Sequence, residues 1–318
     1  MNFTFTDDQA DFGLVVRDVL AGCRDDRGAA AWQRLGTLGF FGMLVDDSRG
    51  GLGLRLADAL PALEETGRAA MPGPVVDTAV AGALLLDGPE LDKLAAGALR
   101  VAVADSASTA ADADLADVIV AWPRVASRDA VSSQAPQLRV RLEPRPGIDP
   151  ARPLFTVTLD GDTRELTGSA VTAWRAATVA TAAQLIGAAR HLLDTTVAYA
   201  RERTQFGRAI GGFQAVKHRL ADVAIAVEFA APLVHRAALS YELPSGERDV
   251  SAAKAAANDA ARLAAEAALQ VHGAIGYTHE LELRHWLTRV WSWSAAYGTS
   301  ATHRARVRAL VREVPRWP

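Results

Sequence analysis

The sequence contains little cysteine, little lysine and little net charge. Its 318 residues include a single cysteine, Cys23, and one thiol excludes both an internal disulfide and a cysteine metal cluster. The formal net charge is −3, and the only lysines are Lys93, Lys217 and Lys254. Because a nucleic-acid-binding protein needs a concentrated basic face, we expect no nucleic-acid partner.

Long apolar runs and a leader pattern are also missing. No stretch approaches the roughly 18 uncharged apolar residues of a membrane span. Residues 1–12, MNFTFTDDQADF, are acidic and lack the basic-then-apolar order of a signal peptide. We therefore predict a cytoplasmic protein that does not contact a membrane.

Three common kinds of catalytic site find no support in the sequence. His272, His279, His285 and His303 do not have the spacing of a metal site, so we expect no bound metal. The chain has no G-x-S-x-G segment, which a hydrolase nucleophile elbow requires. The glycine-rich segment 50–53 lacks the Lys-Ser/Thr of a phosphate loop and is interpreted as a turn.

The residues that are present fall into three zones. Residues 1–98 show apolar side chains at helical spacing, interrupted by turns. Residues 99–168 contain short strand-like runs separated by Pro, Asp and Ser. Residues 169–318 return to long helical periodicity. This order predicts an α+β fold with an N-terminal helical domain, a small β domain and a C-terminal helical bundle.

Local sequence patterns predict where individual helices begin and end. Thr6 and Gln9 have the spacing of a capping box, in which each side chain satisfies a free backbone N–H of the other. Apolar residues at helical spacing over 32–41 predict a second helix. A long helix is predicted over 213–241, and Pro232 is expected to kink or end it.

Two segments of the last zone are specific in their pattern. Residues 201–210 read RERTQFGRAI and continue to FQAVKHRLAD over 213–222. Residues 270–280 read QVHGAIGYTHE. Both segments resemble the C-terminal signatures of the acyl-CoA dehydrogenase family, and a weaker resemblance extends to segments 50–53 and 64–68. The resemblance covers both helical zones, whereas the middle zone matches poorly.

The resemblance implies an FAD-dependent flavoprotein with a helical domain, a central β-barrel domain and a C-terminal four-helix bundle. It also implies a dimer in which one subunit holds the flavin ring and its neighbour binds the pyrophosphate and adenosine. On this resemblance Arg203 clamps the pyrophosphate, which suits the rigid donor fork of a guanidinium. The other implied cofactor-binding residues are Gln205, Phe206, Gln214, Gln270 and Gly273.

The sequence departs from the family at the catalytic base. In the family a glutamate removes the α-proton of the acyl thioester while the β-hydride goes to the flavin. The spacing from the second segment places Tyr297 at the position of that glutamate. Counting back from Arg203 to the alternative base position reaches Ala177, within a segment (173–178) that contains no acid. A tyrosine, with an ordinary pKa near 10, is a poor base at neutral pH, so no catalytic residue is predicted in this chain.

Two further departures concern the half-site that would hold the flavin ring. The family carries a T-E-P-x-A-G-S-D-like segment that opens its β domain, and residues 103–108 are at best a remnant of it. Ala274 replaces the second glycine of Q-x-x-G-G. The ring-binding half-site is therefore degraded, whereas the segments that face a neighbour's flavin are kept.

This asymmetry resembles the small subunits of heteromeric α2β2 acyl-CoA dehydrogenases of steroid-degrading actinobacteria. The resemblance implies the α,β-desaturation of an acyl-CoA thioester by a heterotetramer. A longer homologous partner would carry the glutamate, and an electron-transfer flavoprotein would accept the electrons. Two alternatives stay open: a self-sufficient homomeric dehydrogenase with an unusual base, and a flavin-free structural subunit.

Overall fold

The computed structural model describes residues 5–21, 28–105, 108–121, 124–127, 139–160, 164–165, 168–277 and 281–312. Cys23 and His279 lie outside these described residues. The chain divides into two compact units. The first comprises Met1–Arg17, Leu60–Ala70 and Thr181–Pro318, and the second comprises Asp18–Ala59 and Met71–Ala180. The predicted domain limits at residues 98 and 168 stay predictions.

Helices open and close the chain and strands lie between them, which confirms the predicted α+β class. The helices are α1 (Asp7–Leu20), α2 (Ala29–Thr37), α3 (Leu56–Arg68), α4 (Ala83–Leu85), α5 (Gly88–Ala95), α6 (Ala170–Glu202), α7 (Gln214–Ser240), α8 (Gly246–His272), α9 (Leu283–Ala295) and α10 (Ser300–Arg312). The strands are β1 (Val101–Ala104), β2 (Thr109–Ala111), β3 (Val118–Ala121), β4 (Arg124–Ser127), β5 (Arg139–Arg145), β6 (Leu154–Asp160), β7 (Arg164–Glu165), β8 (Thr204–Gln205) and β9 (Arg208–Ala209).

The N-terminal helix starts with the predicted capping box. The Thr6 N–H donates to Oε1 of Gln9 at 2.9 Å, and the Gln9 N–H donates to Oγ1 of Thr6 at 3.3 Å. Each side chain thereby satisfies a backbone donor that the first helical turn leaves free.

Within the first unit, α3 and α6 pack with their backbones in contact. A Cβ at Gly67 would collide with the backbone oxygen of Gln184, and one at Gly187 would collide with that of Glu64. The Gln184 amide donates to the Thr66 hydroxyl at 3.0 Å. Glycine at these two positions therefore decides how closely the two helices approach.

Alanine makes α8 a slender helix that packs against both α7 and α10. Its fully or almost fully buried alanines are Ala253, Ala257, Ala260, Ala261, Ala264, Ala265, Ala267 and Ala268. Alanine has the highest helix propensity, and its small side chain lets neighbouring helices lie close together.

The proline in α7 does not end the helix, so of the two expected effects only a kink remains. α7 continues through Pro232 to Ser240. Proline removes the hydrogen bond to the carbonyl four residues earlier. Both Pro232 and Glu228 lie on an exposed face, where water can bind the carbonyl that has lost its donor.

By length and composition, α7 is also apolar enough to cross a membrane. Of its most apolar stretch, 44% is buried inside the protein, and core helices of soluble proteins meet the same criteria. This is weak evidence for a membrane segment, and the cytoplasmic location stays a prediction.

The second unit contains two small sheets. In one sheet, β1 pairs in parallel with β3, β3 pairs antiparallel with β4, and β4 pairs antiparallel with β7. In the other sheet, β2 and β5 each pair antiparallel with β6. A helical segment, Asp77–Gly82, is tied to β1, because Oδ2 of Asp77 accepts the Val103 N–H at 3.0 Å. The predicted strand-rich middle zone is confirmed as two sheets.

The predicted second helix ends earlier than its apolar pattern suggests. α2 stops at Thr37, and Phe41 lies in a separate single turn, Phe40–Gly42. Gly39 between them has φ of 82°, a left-handed conformation that interrupts an α-helix. The apolar side chains still face the core, since Phe40 and Phe41 are fully buried.

Candidate functional site: an exposed hairpin, a glycine helix end and a turn without a base

The first predicted segment forms an exposed β-hairpin directly after α6. β8 and β9 pair antiparallel across a turn in which Phe206 and Gly207 have φ of 52° and 76°. Two positive φ values define the twisted two-residue turn that suits a hairpin. A bulky residue rarely adopts such a φ, and the Phe206 side chain is 92% exposed. The hairpin therefore presents an aromatic ring at its tip.

Backbone hydrogen bonds hold the base of this hairpin. The Arg203 N–H donates to the Tyr199 carbonyl at 2.9 Å, and the Ile210 N–H donates to the Arg203 carbonyl at 2.8 Å. The guanidinium of Arg208 lies 4.0 Å over the ring of Phe213. The Arg203 backbone is thus fixed on both sides, while its side chain is exposed.

The two glutamines of this segment are exposed as well. Gln205 lies on β8 opposite Arg208, and Gln214 is the first residue of α7. The first N–H groups of a helix have no intrahelical acceptor and favour an anion such as phosphate. The hairpin and the start of α7 therefore present arginine, amide and backbone N–H donors.

The second predicted segment ends α8 at a backbone that only glycine adopts readily. Gly273 has φ of 66° and ψ of −142°, a region populated almost exclusively by glycine. No atom lies within 4 Å of a Cβ built on Gly273, so the space beside it is open. Gln270 and Ala274 are exposed on either side. A ligand can approach this backbone closely.

A stacked pair of rings joins the bases of the two segments. The ring centroids of Tyr199 and His272 are 4.2 Å apart with an interplanar angle of 24°. Nδ1 of His272 contacts the Ala268 carbonyl at 2.8 Å, and burial lowers the pKa of this imidazole. The structure therefore brings the end of α6 and the end of α8 together.

Tyr297 lies in the turn between α9 and α10. Tyr297 and Gly298 have φ of 56° and 115°, so the turn is tight and left-handed. Asp259 accepts a hydrogen bond from Ser300 at 3.0 Å where α10 begins, and it also pairs with Arg304. The Asp259 carboxylate beside this turn is thus hydrogen-bonded by two donors, and Tyr297 itself has no carboxylate.

A buried lysine, which the sequence analysis missed, holds this turn. Lys254 is fully buried on α8, and its Nζ donates to Oδ1 of Asn258 at 2.8 Å. The same ammonium donates to the carbonyls of Trp293 at 3.1 Å and Gly298 at 3.3 Å. A positive charge at the C-terminal end of α9 is favourable for the helix dipole. The available signal was a lone lysine within an alanine-rich helix.

A buried histidine holds the other side of the turn. Nε2 of His303 contacts the Tyr297 carbonyl at 3.1 Å. Burial, and then the nearby charge of Lys254, lower the pKa of His303 to about 4. The imidazole is therefore neutral at physiological pH and can donate to the carbonyl through Nε2.

The alternative base position, Ala177, is equally without an acid. Ala177 lies on α6 and is fully buried. Its neighbours Ala176 and Thr178 are also fully buried. A methyl group in a packed helix face cannot accept a proton.

Glu64 is a largely buried carboxyl group, with its side chain 13% exposed, and its perturbed pKa was not predicted from the sequence. Desolvation raises its pKa to about 7, an effect that Arg190 opposes and Glu65 reinforces. Oε2 of Glu64 lies 3.9 Å from Nε of Arg190, and Nη2 of Arg190 lies 3.6 Å from Oε1 of Glu228. These contacts identify a structural ion network between α3, α6 and α7.

The chain belongs to the acyl-CoA dehydrogenase family, as its similarity to known proteins shows. Residues 169–311 match the family description "Acyl-CoA dehydrogenase, C-terminal domain", and residues 16–93 match "Acyl-CoA dehydrogenase, N-terminal domain". The acyl-CoA dehydrogenase IpdE2 of Mycolicibacterium smegmatis is 33% identical over 262 residues, which are 79% of this chain and 78% of the relative. IpdE2 of Mycobacterium tuberculosis is 33% identical over 280 residues, 85% of this chain and 84% of the relative. FAD, the predicted cofactor, is the cofactor of this family.

Solved structures confirm the fold. The ChsE4–ChsE5 complex from Mycobacterium tuberculosis matches with a TM-score of 0.84 at 20% identity, covering 99% of this chain and 100% of that one. The Tcur3481–Tcur3483 steroid ACAD G363A variant matches with a TM-score of 0.84 at 22% identity, covering 96% and 98%. The roles of individual site residues stay predictions.

Proposed function

We propose that this chain is the non-catalytic subunit of a heteromeric acyl-CoA dehydrogenase that desaturates the α,β-bond of an acyl-CoA thioester. The proposal rests on two features found together in this chain. The Arg203 hairpin is exposed, and the two base positions of the family hold Tyr297 and Ala177, neither of which is an acid. A longer homologous partner supplies the glutamate and the flavin-ring site. Both structural matches above are reported as two-component proteins, which supports a heteromeric assembly.

The described residues fit the adenosine and pyrophosphate end of FAD. Arg203 offers a fork of donors for the pyrophosphate, and the amides of Gln205 and Gln214 offer further hydrogen bonds. Phe206, 92% exposed, offers an aromatic face. The open space at Gly273 lets a ligand approach the backbone. An apolar ring so exposed is more stable when a partner or ligand covers it.

The proposed role of this chain is therefore to bind and orient the nucleotide end of FAD. FAD, when bound, supplies the oxidising group that accepts the β-hydride. Arg203 would offset part of the pyrophosphate charge and hold the nucleotide end. The turn held by Lys254 and His303 has a tyrosine, Tyr297, where the family has its glutamate. Removal of the α-proton would therefore require a carboxylate from the longer partner.

We extend the proposal to the substrate and the acceptor. A steroid-derived acyl group is proposed, since one structural match is described as a steroid enzyme. An electron-transfer flavoprotein is the proposed electron acceptor, as the resemblance to the family implies.

Flavin stoichiometry tests the proposal. The full chain is purified alone and co-expressed with a family member that carries the glutamate, and flavin is measured by absorbance. We expect about one FAD per two chains, and only in the complex. Arg203→Ala should abolish flavin retention. The matched control, Arg262→Ala, removes a 62% exposed arginine of α8 that pairs with Glu266, and should retain full flavin.

Two results would favour the alternatives. One FAD per chain together with dehydrogenase activity of the chain alone would support a self-sufficient homomeric enzyme. Complete absence of flavin, even in a stable complex with the partner, would support a structural subunit. Either result refutes the proposed shared site.

A further inference from the structure

Two aromatic rings lie where the nucleotide-facing segments leave their helices. Tyr199 precedes Arg203 by one helical turn, and its carbonyl accepts the Arg203 N–H at 2.9 Å. His272 is the last residue of α8 and directly precedes Gly273. The two rings stack with centroids 4.2 Å apart. This contact therefore links the two segments close to where each begins.

The imidazole is held in one orientation by its own helix. A carbonyl only accepts hydrogen bonds, so the 2.8 Å contact with Ala268 means that Nδ1 of His272 carries the hydrogen. His272 is only 6% exposed. A ring fixed by its backbone and by burial is a rigid surface against which Tyr199 can rest.

We propose that Tyr199 and His272 are positioning residues that set the spacing between Arg203 and the Gly273 backbone for the adenosine and pyrophosphate of FAD. The inference rests on the proposed function and goes beyond it, because neither residue is one of the predicted cofactor contacts. Binding one ligand with two segments requires a fixed separation between them. Loss of the stack lets the hairpin move relative to the end of α8, although both remain folded.

The same unit contains a matched control for simple loss of packing. Phe5 and His235 also stack, with centroids 5.1 Å apart and an interplanar angle of 28°. His235 lies on α7 and is 7% exposed, almost as buried as His272. Its stack involves neither the hairpin nor the end of α8. The variant His235→Ala therefore measures the general effect of losing a buried histidine–aromatic contact.

ADP is the probe, because it carries the adenosine and pyrophosphate without the flavin ring. Its dissociation constant for the full chain is measured by titration calorimetry, with the thermal unfolding midpoint measured in parallel. Tyr199→Ala and His272→Ala should each weaken ADP binding about three- to tenfold, the range expected for an aromatic pair. The double variant should be no weaker than either single variant, because the two residues act as a pair. His272→Phe, which keeps a ring, should restore affinity, and His235→Ala should leave it unchanged.

The outcomes separate this inference from the proposed function. If Arg203→Ala leaves ADP affinity unchanged, or if the wild-type chain does not bind ADP at millimolar concentration, the proposed site itself is wrong and the inference fails with it. If Arg203→Ala weakens binding but the Tyr199 and His272 variants do not, only the positioning role is wrong. Equal effects of His235→Ala and His272→Ala on ADP affinity, or no rescue by His272→Phe, would likewise show that the stack contributes only ordinary packing.

Discussion

Replacing the largely buried carboxyl group of Glu64 by an amide should change how the stability of this protein depends on pH. The pKa of Glu64 rises from 4.5 to about 7, chiefly by desolvation. The folded state therefore holds this proton more tightly than the unfolded state. The contribution to stability is complete below pH 4.5 and is lost as the pH rises towards 7. The difference between the two pKa values corresponds to about 3 kcal/mol of unfolding free energy.

The variant Glu64→Gln keeps the shape of the side chain and removes its titration. Urea unfolding of the wild type and the variant at pH 5 and pH 8 gives four free energies. Relative to the wild type, the variant should gain about 2.5 kcal/mol between pH 5 and pH 8. Arg190 keeps Glu228 as a partner at 3.6 Å, so the variant leaves no isolated charge. The histidine at 303 titrates in the opposite sense, with stability lost as the pH falls from 6.5 towards 4, but it is common to both proteins and cancels.

A matched control and two results would test the reasoning further. Glu266→Gln removes a carboxyl group that pairs with Arg262 and whose side chain is 53% exposed, and it should change the unfolding free energy at either pH by less than about 0.5 kcal/mol. An identical pH dependence of Glu64→Gln and wild type would show that the Glu64 carboxyl is not desolvated. A variant that is destabilised more at pH 8 than at pH 5 would show that the attraction of Arg190 dominates.

Two substitutions test the packing that shapes the site, both by urea unfolding of the full chain. Lys254→Met removes the donor to the Trp293 and Gly298 carbonyls and should cost about 2–4 kcal/mol. Lys217→Met, at an exposed position, should cost under about 0.5 kcal/mol, and equal losses would contradict the proposed role of Lys254 in holding the turn. Gly187→Ala places a methyl group against the α3 backbone and should cost about 2 kcal/mol or more. The control Gly212→Ala meets only an ordinary van der Waals contact, so a comparable loss there would contradict the close-packing argument.

Much of the local structure follows from short-range sequence patterns. The capping box of Thr6 and Gln9 forms as predicted, because it needs only residues three apart in the chain. The strand-rich middle zone is confirmed for the same reason, since alternation and turn residues act within a few positions. The boundary of α2 differs, because one left-handed glycine, Gly39, ended a pattern that apolar spacing alone continues to Phe41.

The proline in α7 shows where local propensity is overridden. Proline alone predicts a kink or an end, yet α7 continues through Pro232. Helix packing against α8 stabilises the turns on both sides, and the exposed face tolerates one missing hydrogen bond. Only the tertiary structure decides between these outcomes.

The sequence by itself determined the family, the fold class and the two segments that carry the candidate site, because the identity and order of Arg203, Gln205 and Gln270 are sequence properties. It also determined that Tyr297 and Ala177 are not carboxylates. The burial of Lys254 under the Tyr297 turn was decided by tertiary structure alone, since burial and hydrogen-bond partners come from residues distant in the chain. The pKa of Glu64 and the stack of Tyr199 on His272 were decided in the same way, because desolvation and ring contacts exist only after helices pack.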